Sequence, residues 1–171
     1  MAQTRPSGIP IVDLEQSPVS QEPATLDVRG RLNFLPRWRE RVTWLRTGRR
    51  DDPKETEALM IFAEPGLILI RDWQTDGPRI QERYAALSTS VDPDALNAMR
   101  LIQDRYQMLR IPAAERASLG DGALAHLGLP LSRGSKSLIY VSLLPTEVRL
   151  LSQSYRDARL LESNEYINDL P

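Results

Sequence analysis

The first regular pattern of apolar positions lies in Thr25–Leu35, where Leu26, Val28, Leu32 and Phe34 share one face of a partly alternating run. Such alternation predicts a half-buried strand, and Gly30 inside it predicts a bulge or bend. Pro36 ends the strand and suits the first position of a helix. Trp38, Val42 and Leu45 then recur at helical spacing, with charged residues on the opposite face. After a polar loop, Gly48–Glu57, come two short apolar runs, Ala58–Ala63 and Leu67–Ile70, separated by Glu64-Pro65-Gly66. Pro and Gly supply the backbone angles of a tight turn, so the pair reads as a hairpin. Pro78–Leu87 follows as a short amphipathic helix.

The pattern then repeats in outline. Ser90-Val91-Asp92-Pro93-Asp94 is a helix start, with a capping side chain, a first-turn proline and an acid at the positive end of the dipole. Leu96, Met99 and Ile102 continue at helical spacing, and Tyr106 and Leu109 extend the stripe, leaving the helix end open. Ile111-Pro112 introduces a second helix-like stretch, Ala113–Ser118, and Ala123–Leu127 adds a turn closing at Gly128. A second pair of apolar runs, Ser137–Leu144 and Val148–Leu151, flanks Pro145-Thr146-Glu147, and Tyr155–Leu161 reads as a final helix.

Setting Pro36 against Pro112 aligns two halves of the same element order, with Arg29 against Arg105, Leu32 against Met108 and Leu35 against Ile111. The expected organisation is a mobile proline-rich arm (1–24), a first repeat (25–88), a linker helix with a degenerate second repeat (89–161) and a short tail (162–171).

Charge changes this picture more than composition does. The 171 residues are 41% hydrophobic and 26% charged with a net charge of −1, ordinary values for one domain or two small ones of the same kind. Yet Arg29 to Arg50 holds eight arginines and a single acid, Glu40. The guanidinium is a planar five-donor fork that pairs with phosphate or a guanine edge, so a basic face on an acidic chain is compatible with DNA binding. Zero cysteines exclude disulfides, thiolate nucleophiles and cysteine-ligated metals, and the single histidine, His126, fits packing or capping better than catalysis. Asp51, Asp52, Glu55 and Glu57 have no partner ligands at metal spacing. Neither G-x-x-x-x-G-K-[ST] nor G-x-G-x-x-G occurs. The chain reads as a non-enzyme with no cofactor and no metal. No apolar run nears the roughly 20 residues of a membrane helix, and the N-terminus lacks an apolar h-region, so a cytoplasmic protein with no membrane partner is expected.

The run Asp27-Val28-Arg29-Gly30-Arg31-Leu32-Asn33-Phe34-Leu35-Pro36 resembles the D-x-x-G-R-[IL]-x-[IL]-P opening of AbrB/MazE/MraZ-type domains, with one residue more before the proline. The helix and hairpin that follow are also similar to that family, and two units in one chain resemble its MraZ branch most. The resemblance spans about residues 25–161. It implies an α+β fold, a swapped-hairpin β-barrel formed by two divergent β-α-β-β-type repeats with short flanking helices, in chains that associate as a ring.

The resemblance further implies a DNA-binding transcriptional regulator that recognises double-stranded DNA as a homo-oligomer. The D-x-x-x-R signature of that branch falls on Asp27 and Arg31. Arg29, Arg31, Arg37, Arg39 and Arg41 become the candidate DNA contacts, with Asp27 orienting a guanidinium. A second reading of Asp27 with Arg31 is a local ion pair that pins the strand bend. Under the proline alignment the second half lacks the arginine and the glycine, which leaves open a unit that kept the barrel and binds a protein partner instead. Trp38, Trp44 and Trp73 are expected in packing rather than base stacking.

Overall fold

The computed structural model describes residues 21–47, 55–112, 116–129 and 136–168. Residues 1–20 of the expected arm, 48–54 of the expected loop, Ala113-Ala114-Glu115 and the last three residues of the tail lie outside them, as do the side chains of Arg46, Arg49 and Arg50.

The first half contains strands β1 (Gln21–Asp27) and β2 (Arg31–Asn33), short helices α1 (Pro36–Arg41) and α2 (Thr43–Thr47), the hairpin β3 (Glu55–Phe62) and β4 (Leu67–Asp72), and helix α3 (Trp73–Ser88). Helix α4 (Pro93–Arg105) leads into the second half. There β5 (Tyr106–Pro112), β6 (Arg116–Ser118), α5 (Gly120–His126), β7 (Lys136–Leu144), β8 (Glu147–Ser152) and α6 (Gln153–Asn168) follow in the same order. The class is α+β, and every strand pair is antiparallel.

Several boundaries differ from the sequence reading. Gln21–Ala24, expected in the arm, belong to β1, an edge strand in which Pro23 can face its missing N–H away from the neighbour. The single strand expected over Thr25–Leu35 is two strands, broken at the Gly30 turn. The helical stripe through Tyr106 and Leu109 ends at Arg105, and Tyr106–Pro112 pairs along β3 instead. Arg116–Ser118, read as helical, is a strand paired with β2. Helix α3 begins at Trp73, capped by the Asp72 carboxylate accepting from the Gln74 amide, and so takes Pro78 into its interior. The final helix likewise runs past Leu161 to Asn168.

The six-stranded sheet has the order β1-β7-β8-β4-β3-β5, and β2 with β6 forms a separate two-stranded ribbon. Each half's first strand therefore pairs with the hairpin of the other half. The order is unchanged when the halves are exchanged, and the register obeys the same two-fold relation. Gln21 opposes Ser142 as Tyr106 opposes Ile61, and Asp27 opposes Lys136 as Pro112 opposes Glu55. Leu32 opposite Ala117 in the ribbon, and Leu69 opposite Arg149 in the sheet, mark where the pseudo-axis passes.

This register replaces the proline alignment. Asp27 corresponds to Pro112, and Arg31 corresponds to Arg116. The second half has kept its arginine and lost its acid.

One core lies between the inner face of the sheet, the ribbon and the three short helices. It combines Leu26, Ile68, Ile70, Ile139, Val141 and Leu150 from the sheet with Leu32 and Ala117 from the ribbon, Trp38, Val42 and Leu45 from α1–α2, and Leu124 from α5. The helix-period residues expected to pack, Trp38, Val42 and Leu45, are all buried, although the helix is interrupted at Val42. Helices α3 and α4 contact the outer face of β3 and its neighbours, and α6 contacts β7 and β8.

Candidate nucleic-acid interface

The turn between β1 and β2 is held by one carboxylate. Asp27 Oδ1 accepts from the Arg29 amide (2.9 Å) and the Arg31 amide (3.0 Å), and Oδ2 accepts from Arg31 Nε (2.5 Å). Burial alone would raise the Asp27 pKa, but these hydrogen bonds together hold it below its ordinary value. Gly30 sits in the left-handed region at φ +70°, and its carbonyl accepts from the Leu119 amide (2.7 Å). That bond ties the turn to the end of β6.

Because side chains alternate along a strand, burying Leu32 and Ala117 turns Arg31, Asn33, Arg116 and Ser118 outward. Arg116 Nε donates to Asn33 Oδ1 across the ribbon (3.2 Å). A recess of about 170 Å³ lies on one side, lined by Thr25, Asp27, Arg31, Asn33, Arg116 and Lys136. A hollow of about 610 Å³ lies on the other, lined by Arg31, Met108, Leu109, Arg110, Arg116 and Ser118. The two are related by the pseudo-axis. Arg31, Arg110, Arg116 and Lys136 bring four cations here against Asp27 and Glu57, the latter 3.7 Å from Arg110.

The six residues singled out from the sequence do not form one cluster. Asp27 and Arg31 are on the ribbon, and Arg29 is exposed in the adjoining turn. Arg37 is drawn to the opposite end of β1, where both its Nε and its Nη2 donate to Glu22, the latter at 2.7 Å. Glu22 and Asp27 stand five positions apart along β1, about 17 Å at the usual rise. Trp38 Nε1 also donates to Glu22 (2.6 Å). Chiefly through the Arg37 hydrogen bond, and with help from the Arg41 charge, Glu22 is held below its ordinary pKa. Exposed Arg41 thus belongs to the Glu22 end, and Arg39 is half-buried on the same short helix.

Arg116, Arg110, Lys136 and Asn33 join the basic face without having been singled out. For Arg116 a signal was present: Arg116-Ala117-Ser118 repeats the polar–apolar–polar order of Arg31-Leu32-Asn33. It is hidden because Pro112, rather than an acid, precedes it.

His126 serves the fold. Its Nε2 lies 2.8 Å from the Glu64 carbonyl and 3.0 Å from that of Leu67, an N–H shared between two acceptors at the β3–β4 turn. Its own carbonyl accepts from the Gly66 amide. Among the described residues no group of three or more His, Asp or Glu side chains could hold a metal ion, and no helix is long and apolar enough to cross a membrane. Compared with known proteins, the chain matches no protein-family model and no curated protein.

Proposed function

We propose that this protein is a sequence-specific DNA-binding transcriptional regulator of the AbrB/MraZ kind, and that the exchange of hairpins between its halves is that family's swapped-hairpin barrel contained in one chain. One observation carries the reading. A two-stranded ribbon on a pseudo-two-fold axis turns Arg31 and Arg116 outward, with Arg110 and Lys136 beside them. Two-fold proteins match the dyad of duplex DNA, and two-stranded ribbons fit its major groove. The interface is thus centred on Arg31 and Arg116. Arg29 flanks it, while Arg37, Arg39 and Arg41 lie toward Glu22 as outlying contacts. Homo-oligomerisation multiplies a short contact into useful affinity.

The test is titration of the DNA upstream of the protein's own gene, beside an unrelated duplex, at several salt concentrations. With four cations on phosphates, the logarithm of the affinity falls against the logarithm of salt with a slope of about −3 to −4. Arg31→Glu/Arg116→Glu abolishes binding, and Arg37→Glu weakens it less. A second reading is favoured by the internal pairing of Arg31 with Asp27 and of Arg37 with Glu22, which leaves these arginines partly neutralised. On that reading the barrel is a protein-interaction module, and no duplex binds even at low salt.

A further inference from the structure

On the outer face of the sheet, between α3, α4 and the β3–β5 pair, lies a cavity of about 360 Å³ that neither the core nor the basic face uses. Its floor is Leu59, which β3 turns away from the core while Ala58 and Met60 turn into it. Trp73 and Tyr84 of α3 and Tyr106 at the start of β5 give it three aromatic walls, and Gln81 and Gln103 add two carboxamides. Gln103 Nε2 donates to the Tyr84 hydroxyl (3.0 Å), which ties the two helices together beside the cavity. None of the described residues that line it is charged. Arg105 stands 5.8 Å from the Tyr106 ring centroid, but it is exposed and is not one of the lining residues.

The Trp73 wall depends on a glycine. A Cβ on Gly77 would collide with the indole ring, so the ring lies directly against the backbone of its own helix one turn on. Glycine inside a helix weakens it, and here it seats the aromatic wall.

The pseudo-symmetry shows what this place accommodates. Asp72 opposes Ala58 as Ser152 opposes Ile139, so α3 and α6 start in step and Asp76 corresponds to Arg156. By the same relation Leu59 corresponds to Tyr140 and Tyr106 to Gln21. In the second half Arg156 fills the place itself. Its guanidinium lies over the Tyr140 ring, 4.2 Å from the centroid, and its Nε donates to Gln21 Oε1 (3.0 Å). A flat conjugated group with a hydrogen-bonding edge therefore fits between sheet and helix at this level. In the first half Asp76 is not among the lining residues, and the cavity stands where the guanidinium would be.

We infer that this cavity is a binding site for a small uncharged aromatic molecule, its rings held among Trp73, Tyr84 and Tyr106 and its polar edge hydrogen-bonded by Gln81 and Gln103. The volume lies within the roughly 300–1,000 Å³ of small-molecule sites. Aromatic walls favour aromatic rings packed offset or edge-to-face, and a charged ligand would lose its water without gaining a partner. The inference is independent of DNA binding, and its test uses no DNA.

The experiment titrates the full chain with two fluorescent probes. One is anilinonaphthalene, an uncharged aromatic amine whose emission rises in apolar surroundings. The other is anilinonaphthalene sulfonate, the same ring system carrying a negative charge. The amine binds saturably at one site per chain, and the sulfonate binds about tenfold more weakly or worse, since its charge is desolvated without a partner. Ile102→Trp fills the cavity from α4 and weakens the amine about tenfold or more. Leu101→Glu removes a neighbouring exposed apolar side chain and leaves the amine's affinity unchanged. If Ile102→Trp fails to fold, methyl spectra of wild type decide. Ring currents of the bound amine shift the methyl signals of Leu59, Ile80 and Ile102 and leave those of exposed Val91 and Leu138 in place. Absence of saturable amine binding overturns the inference, as does a sulfonate that binds as tightly as the amine. So does amine binding that survives folded Ile102→Trp, is lost in Leu101→Glu, or shifts only methyl groups outside the cavity.

Discussion

Glu22 is the residue on which the first half's short helix depends. Its carboxylate accepts from both Arg37 and the indole of buried Trp38, so it anchors α1 to the edge strand while satisfying a donor otherwise enclosed in the core. Removing the acceptor leaves that N–H without a partner, which costs about 1–3 kcal/mol. Glu22→Ala is therefore expected to lower the unfolding free energy by that amount, measured by urea unfolding at neutral pH.

The pH dependence has a definite sign. Glu22 and Asp27 are both held below their ordinary pKa, so in acid the unfolded chain binds more protons than the folded one. Their stabilisation is present above the unfolded carboxylate value, about 4, and is lost as pH falls through the folded values. The stability gap between wild type and Glu22→Gln should accordingly be open at pH 7 and narrow steadily below about pH 4. A gap that is constant with pH would show that the charge of Glu22 contributes nothing.

Among the elements, the two short strands of the ribbon have the least intrinsic reason to form and the most tertiary support. Each is three residues long. The turn that delivers β2 to β6 uses Gly30 at a positive φ, and a Cβ there would stand 2.9 Å from the Gly120 amide nitrogen and 3.1 Å from its carbonyl oxygen. Both obstacles are backbone, which cannot swing aside. Gly30→Ala is expected to destabilise by more than the ~1 kcal/mol of an ordinary Gly→Ala change at positive φ, and to weaken any DNA binding beyond its effect on stability. Thermal melts and DNA titration on the same preparation separate the two. The helices are more self-sufficient. Asp92 caps α4 from its own side chain, and Pro93 sits at its first position, both legible in the sequence.

At the scale of the molecule, the exchange of hairpins makes the two halves one folding unit. Ile68 in β4 and Ile139 in β7 belong to different halves but to one core. Truncation of either to alanine should cost about 2–5 kcal/mol and move a single, shared unfolding transition. Two resolved transitions, each sensitive to one substitution only, would contradict that coupling. The same architecture explains why the second half's register is absent from its own local pattern. Its strands are chosen by what the other half offers, not by its own periodicity.

What the sequence determined by itself was whatever depends on neighbours in the chain. Both hairpins follow from paired apolar runs around turn residues. The start of α4 follows from Asp92-Pro93, the bend at Gly30 from its freedom at positive φ, and the burial of Trp38, Val42 and Leu45 from their spacing. The pin between Asp27 and Arg31 is of the same kind, being a contact between residues four apart. Tertiary structure decided what depends on distant partners. Tyr106–Pro112 became a strand because β3 offers it a full ladder, which outweighs a helical stripe. Arg116 joined Arg31 because pairing across the pseudo-axis sets the register, and no local pattern reports that register. Arg37 left the basic face because Glu22, fifteen residues earlier, collects it. Local geometry is written in the order of the residues, whereas the company a side chain keeps is settled only when the two halves interlock.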